Sequence, residues 1–268
     1  MDIFQATILG IFQGLTEFLP ISSSAHLVLI PHFFGWEDPG LTFNVALHFG
    51  TLIAVLFYFR KDLVEIVFGA VCCEKDGSNT KKRRYPKNMI WLIVLATLPG
   101  SIAGYFFSDL AETSFRHPLL VASTLAFFGL LLFWADKTTK KQRKVDDIGI
   151  VDSLTIGFSQ AIAIVPGVSR SGITITAGLL QGLDRKNAAR FSFLMSVPII
   201  LGANFFEMRH FFSSAVGFSE VAGIVAAMIS GYFAIAGLIK FVEKTSYKVF
   251  FWYRIGLACL IFAMWFWF

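Results

Sequence analysis

Apolar residues run along this chain in stretches that no soluble core needs. Leu41–Phe59, Met89–Phe107, Leu119–Ala135, Phe191–Phe206, Val221–Ile239 and Val249–Phe268 are each long enough, or nearly so, to cross ~30 Å of hydrocarbon as a helix. None alternates with a period of two, so a membrane barrel does not fit and helices must satisfy the backbone. Six transmembrane helices are predicted. Two further apolar stretches, 3–34 and 148–183, are interrupted at their centres by Pro, Ser and Gly. Each half is too short to span, which predicts two re-entrant helical hairpins that enter and leave on one side. Irregular backbone survives at that depth where it is buried in protein or lines a wet cavity.

The two interruptions resemble one another at an offset of 147 residues. Gly10 meets Gly157, Gln13 meets Gln160, and Ser22 and Ser24 meet Ser169 and Ser171, while the prolines miss by one. Residues 1–136 and 148–268 therefore read as two repeats within one integral membrane domain. Charge sets their orientation. Of 23 Lys and Arg, 19 fall in 60–87, 137–144, 185–190 and 240–248, and threading six spans puts these four loops on one side, the cytoplasm. Arg116 and Arg209 fall opposite. The first re-entrant segment then precedes a span running outward-in and the second a span running inward-out. The repeats are expected to be inverted, with their loop tips meeting near the middle of the membrane at one shared site.

Composition agrees with this picture: 56% of 268 residues are hydrophobic, 15% are charged, and 31 are Phe. The net charge of +5 is explained by loops facing the membrane surface, so no nucleic-acid partner is expected for tracts such as Lys81–Lys87. Cys72, Cys73 and Cys259 form no disulfide framework and lack the neighbours a metal would need. With no basic region or small-residue cleavage site after Met1-Asp2, no cleaved signal peptide is expected.

Polar residues inside the apolar background carry the chemistry, because lipid makes them costly. Gln13 and Glu17, four apart on a helix that Pro20 ends, share a face. Their oxygens suit a hard divalent cation, Mg²⁺ or Ca²⁺; the other reading of Glu17 is a hydrogen-bonded packing residue. Ser22, Ser23 and Ser24 follow, and a helix restarting there presents free N–H groups toward the cavity. His26, three after Ser23 and four after Ser22, makes a hydroxyl–imidazole pair, although spacing does not choose among the three serines. His32, His48, His117 and His210 lack such company and receive no role. In the second interruption Gly167, Ser169, Arg170, Ser171, Gly172 and Thr174 read as an anion site, glycine admitting close approach and Arg offering a planar fork to phosphate. Arg170 at depth requires a partner: Glu17, a bound anion, or both. Gln160 has no carboxylate four residues on. Arg254 reads as a structural residue that snorkels or pairs with Glu243.

Gln13-Gly14-Leu15-Thr16-Glu17-Phe18-Leu19-Pro20-Ile21-Ser22-Ser23 and Pro166-Gly167-Val168-Ser169-Arg170-Ser171-Gly172-Ile173-Thr174 together resemble the BacA/UppP-type undecaprenyl-pyrophosphate phosphatases of bacteria. Asp146-Asp147 and Tyr253-Arg254 fit the same pattern, and the resemblance covers essentially the whole chain. Gln13 stands where many relatives carry Glu, which the family pattern admits. The resemblance implies removal of the terminal phosphate from a C55 isoprenyl pyrophosphate, recycling a carrier lipid for peptidoglycan synthesis and conferring bacitracin resistance. It implies a divalent cation, a multi-pass protein of the bacterial inner membrane and a site open to the periplasmic face. Glu17, Ser23, His26 and Arg170 match its essential positions, Ser23 being its proposed nucleophile. Direct attack by water stays open, as does self-association into a homo-oligomer. The rival from another class is a transporter or flippase of the lipid phosphate, which would need the grip of Arg170 but no Ser–His–Glu set.

Overall fold

The computed structural model describes residues 1–71, 84–112, 115, 117–140, 142–213 and 217–267. Cys72, Cys73, Lys75, Lys81, Lys82, Arg83, Arg116 and Lys141 lie outside them. Among the described residues the chain is helical: α1 Ile3–Phe18, α2 Ser23–Phe34, α3 Gly40–Tyr58, α4 Arg60–Val71, α5 Met89–Glu112, α6 Pro118–Thr138, α7 Ile150–Ile162, α8 Arg170–Leu180, α9 Arg185–Ser213, α10 Phe218–Val242 and α11 Lys248–Trp267.

Five helices, Met89–Ser108, Pro118–Thr138, Arg185–Phe205, Phe218–Val242 and Lys248–Phe266, are long and apolar enough to cross a membrane. Thr42–Tyr58 with Arg60–Val71 makes a sixth only as a pair bent by 72°. The predicted span over Leu41–Phe59 therefore corresponds to α3, and the charges at Arg60, Lys61 and Asp62 coincide with the change of direction. Outward faces carry Trp91, Phe106, Phe127, Phe205, Phe233 and Trp252, all exposed. So much exposed aromatic surface on helices of this length belongs in lipid. The protein is a polytopic, all-helical membrane protein. One boundary differs from expectation: Arg185, Lys186 and Arg190 are not loop cations but begin α9. Arg185 donates to Asp136 at 2.6 and 3.1 Å, and Arg190 pairs with Asp62 and stacks on Phe59. Carboxylate partners let the helix start six residues earlier.

Both interrupted stretches are helix–break–helix. Asp2 and Gln5 cap the start of α1 reciprocally, Asp2 Oδ1 accepting from the Gln5 N–H at 2.7 Å. Leu19, held extended by the following Pro20, ends it. The chain resumes as α2 immediately after Ser22, just as α8 resumes after Ser169. These two serines, at φ 74° and 69°, are the only described non-glycine residues with positive φ. Each carries a backbone conformation that costs roughly 1–3 kcal/mol. In each break the strained serine bonds the serine two residues on, Ser22 to Ser24 at 3.1 Å and Ser169 to Ser171 at 3.2 Å. Ser169 Oγ also accepts from the Gly172 N–H at 3.1 Å, capping α8. Ser22 makes no such side-chain cap on α2.

The halves pack by exchange. Helix α1 lies along α10, and α7 lies along α5. Each contact turns on a glycine at matching positions. A Cβ on Gly10 would come within 2.2 Å of the Gly223 carbonyl oxygen, and one on Gly157 within 2.6 Å of the Ala96 carbonyl oxygen. Neither backbone can yield without parting the helices. Gly10→Ala is expected to lower the melting temperature in detergent, since overpacking typically costs about 1–3 kcal/mol. Gly202→Ala, with nothing within 4 Å, should leave it unchanged. Helix α9 is the most enclosed of the long helices, and its Phe191 and Phe193 pack with Phe18, Phe59 and Leu52 in the main core. That core sets the ends of α1 and α3 against α9, where the polar residues meet.

Candidate active site

Glu17 sits at the last turn of α1, 7% exposed, and gathers donors from four elements. Ser23 Oγ donates to its Oε2 at 2.7 Å and Gln13 Nε2 to the same oxygen at 3.0 Å. His48 Nε2, from α3, lies 3.4 Å from that oxygen. Arg170 Nη2, from the start of α8, donates to Oε1 at 3.0 Å. The two breaks, 147 residues apart in sequence, thus meet through a carboxylate and a guanidinium. Ser171 Oγ strengthens the junction by donating to the Leu19 carbonyl at 3.1 Å.

Above this junction lies a cavity of about 270 Å³. Glu17, Ser22, Ser23, Ser24, Ser169 and Arg170 supply its polar wall with His48, while Val45, Ile199, Ile200 and Ala203 supply an apolar one. Helices α2 and α8 begin at this wall, so their first N–H groups and positive dipole ends converge there. Among the described residues Arg170 is held by one nitrogen only: its Nη1 is buried and has no partner there. A buried donor left unpaired costs about 1–3 kcal/mol, more when charged, so Nη1 points to an acceptor from outside the chain.

The remaining expected site residues stand off the cavity. Gln160 lies against Gly100 of α5 with both amide atoms unpaired. Thr174 donates to the Arg170 carbonyl and bonds Ser192 at 2.7 Å. Gly167 offers its carbonyl, and Gly172 its missing side chain, to Arg254. His26 is not paired with Ser23. Its Nδ1–H donates to the Ser22 carbonyl at 2.7 Å, one helical turn back, and its Nε2 shares a hydrogen bond with the Tyr253 hydroxyl at 2.6 Å. With both nitrogens engaged, the imidazole braces α2 against α11, and Glu17 takes the place beside Ser23. Arg254 neither snorkels nor meets Glu243. It is wholly buried and bonds backbone carbonyls, whereas Glu243 pairs with Lys186, which holds its carboxyl below the usual range.

His48 and Tyr253 are the residues that spacing missed. His48 belongs to the site through Glu17, with its Nδ1–H donating to the Asn44 carbonyl at 2.7 Å. A signal existed: Asn44 and His48 are four apart and are polar inside the apolar run Leu41–Phe59. For a metal, no cluster of three or more His, Cys, Asp or Glu occurs among the described residues. The donor set instead fits a cation that takes few protein oxygens. Gln13 Oε1 is fully buried beside Glu17 without a partner, which suits a hard ion completing its shell with water and phosphate oxygens.

Fold and site together define a polytopic membrane protein with a buried Ser–Glu–Arg cluster built from two broken helices. The chain belongs to the bacitracin resistance protein BacA family, which it matches over residues 6–260. It is 49% identical over 267 residues to an undecaprenyl-diphosphatase of Moorella thermoacetica, covering 100% of this chain and 99% of the relative. An undecaprenyl-diphosphatase of Pelotomaculum thermopropionicum is 46% identical over 266 residues, covering 98% and 97%. One of Geotalea daltonii is 47% identical over 266 residues, covering 97% of each.

Proposed function

We propose that this chain is an undecaprenyl-diphosphatase, an intramembrane hydrolase that converts a C55 isoprenyl pyrophosphate to its monophosphate and phosphate. The observation that carries the reading is the half-engaged Arg170, one nitrogen on Glu17 and the other free and buried beside two helix starts. A pyrophosphate supplies the acceptors this arrangement lacks. Arg170 Nη1 and the N–H groups opening α2 and α8 hold the phosphate oxygens. Ser23 Oγ attacks the terminal phosphorus while its proton passes to Glu17 Oε2, 2.7 Å away. The bond from phosphorus to the bridging oxygen breaks, and the lipid monophosphate leaves with that oxygen. Water then cleaves the phosphoserine, releasing phosphate and returning a hydrogen to Ser23. In the variant route water attacks directly, with Glu17 as its base. His26 acts by holding the Ser22 carbonyl, and so fixes the turn on which Ser23 stands.

Gln13 Oε1 and Glu17 would hold a divalent cation, Mg²⁺ or Ca²⁺. When bound it neutralises phosphate charge and polarises a phosphoryl oxygen. The two halves are read as inverted repeats. Support comes from the matched strained serines, the matched serine pairs and the exchange packing of α1 on α10 and α7 on α5. The basic loops favour the cytoplasm, which leaves the site open to the periplasmic side of the inner membrane. The recycled carrier then serves peptidoglycan synthesis, and abundant enzyme confers bacitracin resistance.

The test is phosphate release from C55 isoprenyl pyrophosphate by protein purified in detergent, where micelles abolish sidedness. Turnover is expected, and its absence would favour a flippase, which needs the Arg170 grip alone. Excess chelator should stop the reaction and Mg²⁺ or Ca²⁺ restore it. Full turnover under chelation removes the cation from the reading. Gln13→Glu should stay active, since it presents an oxygen at the same reach.

A further inference from the structure

Arg254 lies on α11, away from the cavity wall, yet among the described residues it is the largest side chain with no exposure at all. No carboxylate among the described residues meets it. Its nitrogens are spent on backbone: Nε donates to the Leu125 carbonyl at 2.9 Å, and Nη2 to those of Gly167 and Val168 at 2.8 and 3.0 Å. Nη1 reaches the Pro20 carbonyl at 3.3 Å, and a longer bond runs from Nη2 to Thr124. Pro20 belongs to the first break; Gly167 and Val168 belong to the second. Small residues clear the path. A Cβ on Gly172 would sit 2.9 Å from Nη1, and one on Gly129 would sit 3.2 Å from Nε. A buried cation without a counter-charge is a poor way to gain stability, because desolvation costs several kcal/mol per ion. Its value must lie in what it holds.

We infer that Arg254 is a positioning residue for catalysis: its planar fork binds the carbonyls of both breaks from behind, and so registers Ser23 and Glu17 against Arg170. A peptide unit points its C=O and N–H in opposite directions. Drawing the Val168 carbonyl toward Arg254 therefore turns the Ser169 N–H the other way, and Ser169 lines the cavity. The neighbouring Tyr253 does the same work for α2 through His26. Two adjacent residues of the last helix thus brace both halves of the site. Gly172 takes its meaning from this arrangement: it makes room for the guanidinium rather than approaching phosphate.

The inference rests on the phosphatase reading, so its test has two arms. In the first, Arg254→Lys keeps the charge but cannot span carbonyls from two breaks and α6. A displacement of about 1 Å at a reacting group can cost ~100-fold, and a loss of that order in kcat is expected with KM little changed. Gly172→Ala, which pushes on Nη1, should show the same split, and the double variant should be no worse than Arg254→Lys alone. In the second arm, spin labels on exposed Val28 of α2 and Leu180 of α8, with Cys72, Cys73 and Cys259 replaced by Ser, report the distance between the restarted helices without any substrate. The distribution should be narrow in the parent and broad or shifted in Arg254→Lys and Gly172→Ala. Unchanged kcat and an unchanged distribution in both variants would overturn the inference. A distribution that is narrow in the parent and broad or shifted in the variants, with a parent that releases no phosphate, would instead sustain it while refuting the phosphatase reading.

Discussion

Arg170→Lys is expected to cost the enzyme about 10- to 150-fold in kcat/KM, the equivalent of one hydrogen bond to a charged group at ~1.5–3 kcal/mol. The guanidinium bonds Glu17 with one nitrogen and keeps another buried and without a partner among the described residues. An ammonium is a point charge on a flexible stem, and it cannot make both contacts in one plane. Lysine should choose Glu17 and leave phosphate ungripped. Because it still neutralises Glu17, Arg170→Lys should melt near the parent temperature. Arg170→Met is the harsher variant: it strands a buried carboxylate and should lose about 3–5 kcal/mol of stability as well as activity. Phosphate-release kinetics and thermal melts in detergent, run on both variants, separate the two roles. A well-folded Lys variant with normal kcat/KM would remove the clamp from the mechanism.

What the sequence disclosed follows from which interactions spacing can report. Neighbours within one helix were legible: Gln13 and Glu17, four apart, do bond. The need of Arg170 for an acidic partner was legible from cost alone, since lipid leaves few other ways to keep a cation at depth, and Glu17 meets it across 153 positions. Contacts set by tertiary packing were not. Ser23 and His26 share a face by spacing, but Tyr253 arrives from another helix and, with the Ser22 carbonyl, engages both imidazole nitrogens. His48 looked solitary because its partner Glu17 lies on a different helix. Arg254 reads from the sequence as a residue that snorkels or pairs with Glu243. It found carbonyls instead, which no side-chain pattern encodes, because every residue carries one.

The fold divides similarly. Hydropathy located the long helices because lipid imposes a length on them. It did not foresee the 72° bend between α3 and α4, or the early start of α9, which depends on Asp136 and Asp62 standing opposite Arg185 and Arg190. The breaks were legible from Pro, Ser and Gly. Their strained serines were not, since a positive φ on Ser22 and Ser169 is imposed by the packing around them.

The largest effect belongs to Ser23→Ala. Three serines open α2, and spacing alone could not choose among them; their hydrogen bonds now do. Ser22 and Ser24 bond each other at 3.1 Å, while Ser23 alone donates to Glu17, at 2.7 Å. A hydroxyl that already donates its hydrogen bond to a carboxylate is the one ready to attack phosphorus. Ser23→Ala should therefore lose several orders of magnitude in kcat. Ser22→Ala and Ser24→Ala each forfeit one hydrogen bond, ~0.5–1.5 kcal/mol, or about 2- to 13-fold if felt in the transition state. Glu17→Gln should fall with Ser23→Ala, because it removes the proton acceptor while keeping the size of the side chain. The two losses should not add, since base and nucleophile act as one unit. A ³²P-phosphoserine trapped at Ser23 would fix the covalent route. If Ser23→Ala falls no further than its neighbours while Glu17→Gln still fails, the attacking oxygen is water, and the hydroxyl of Ser23 serves to orient Glu17.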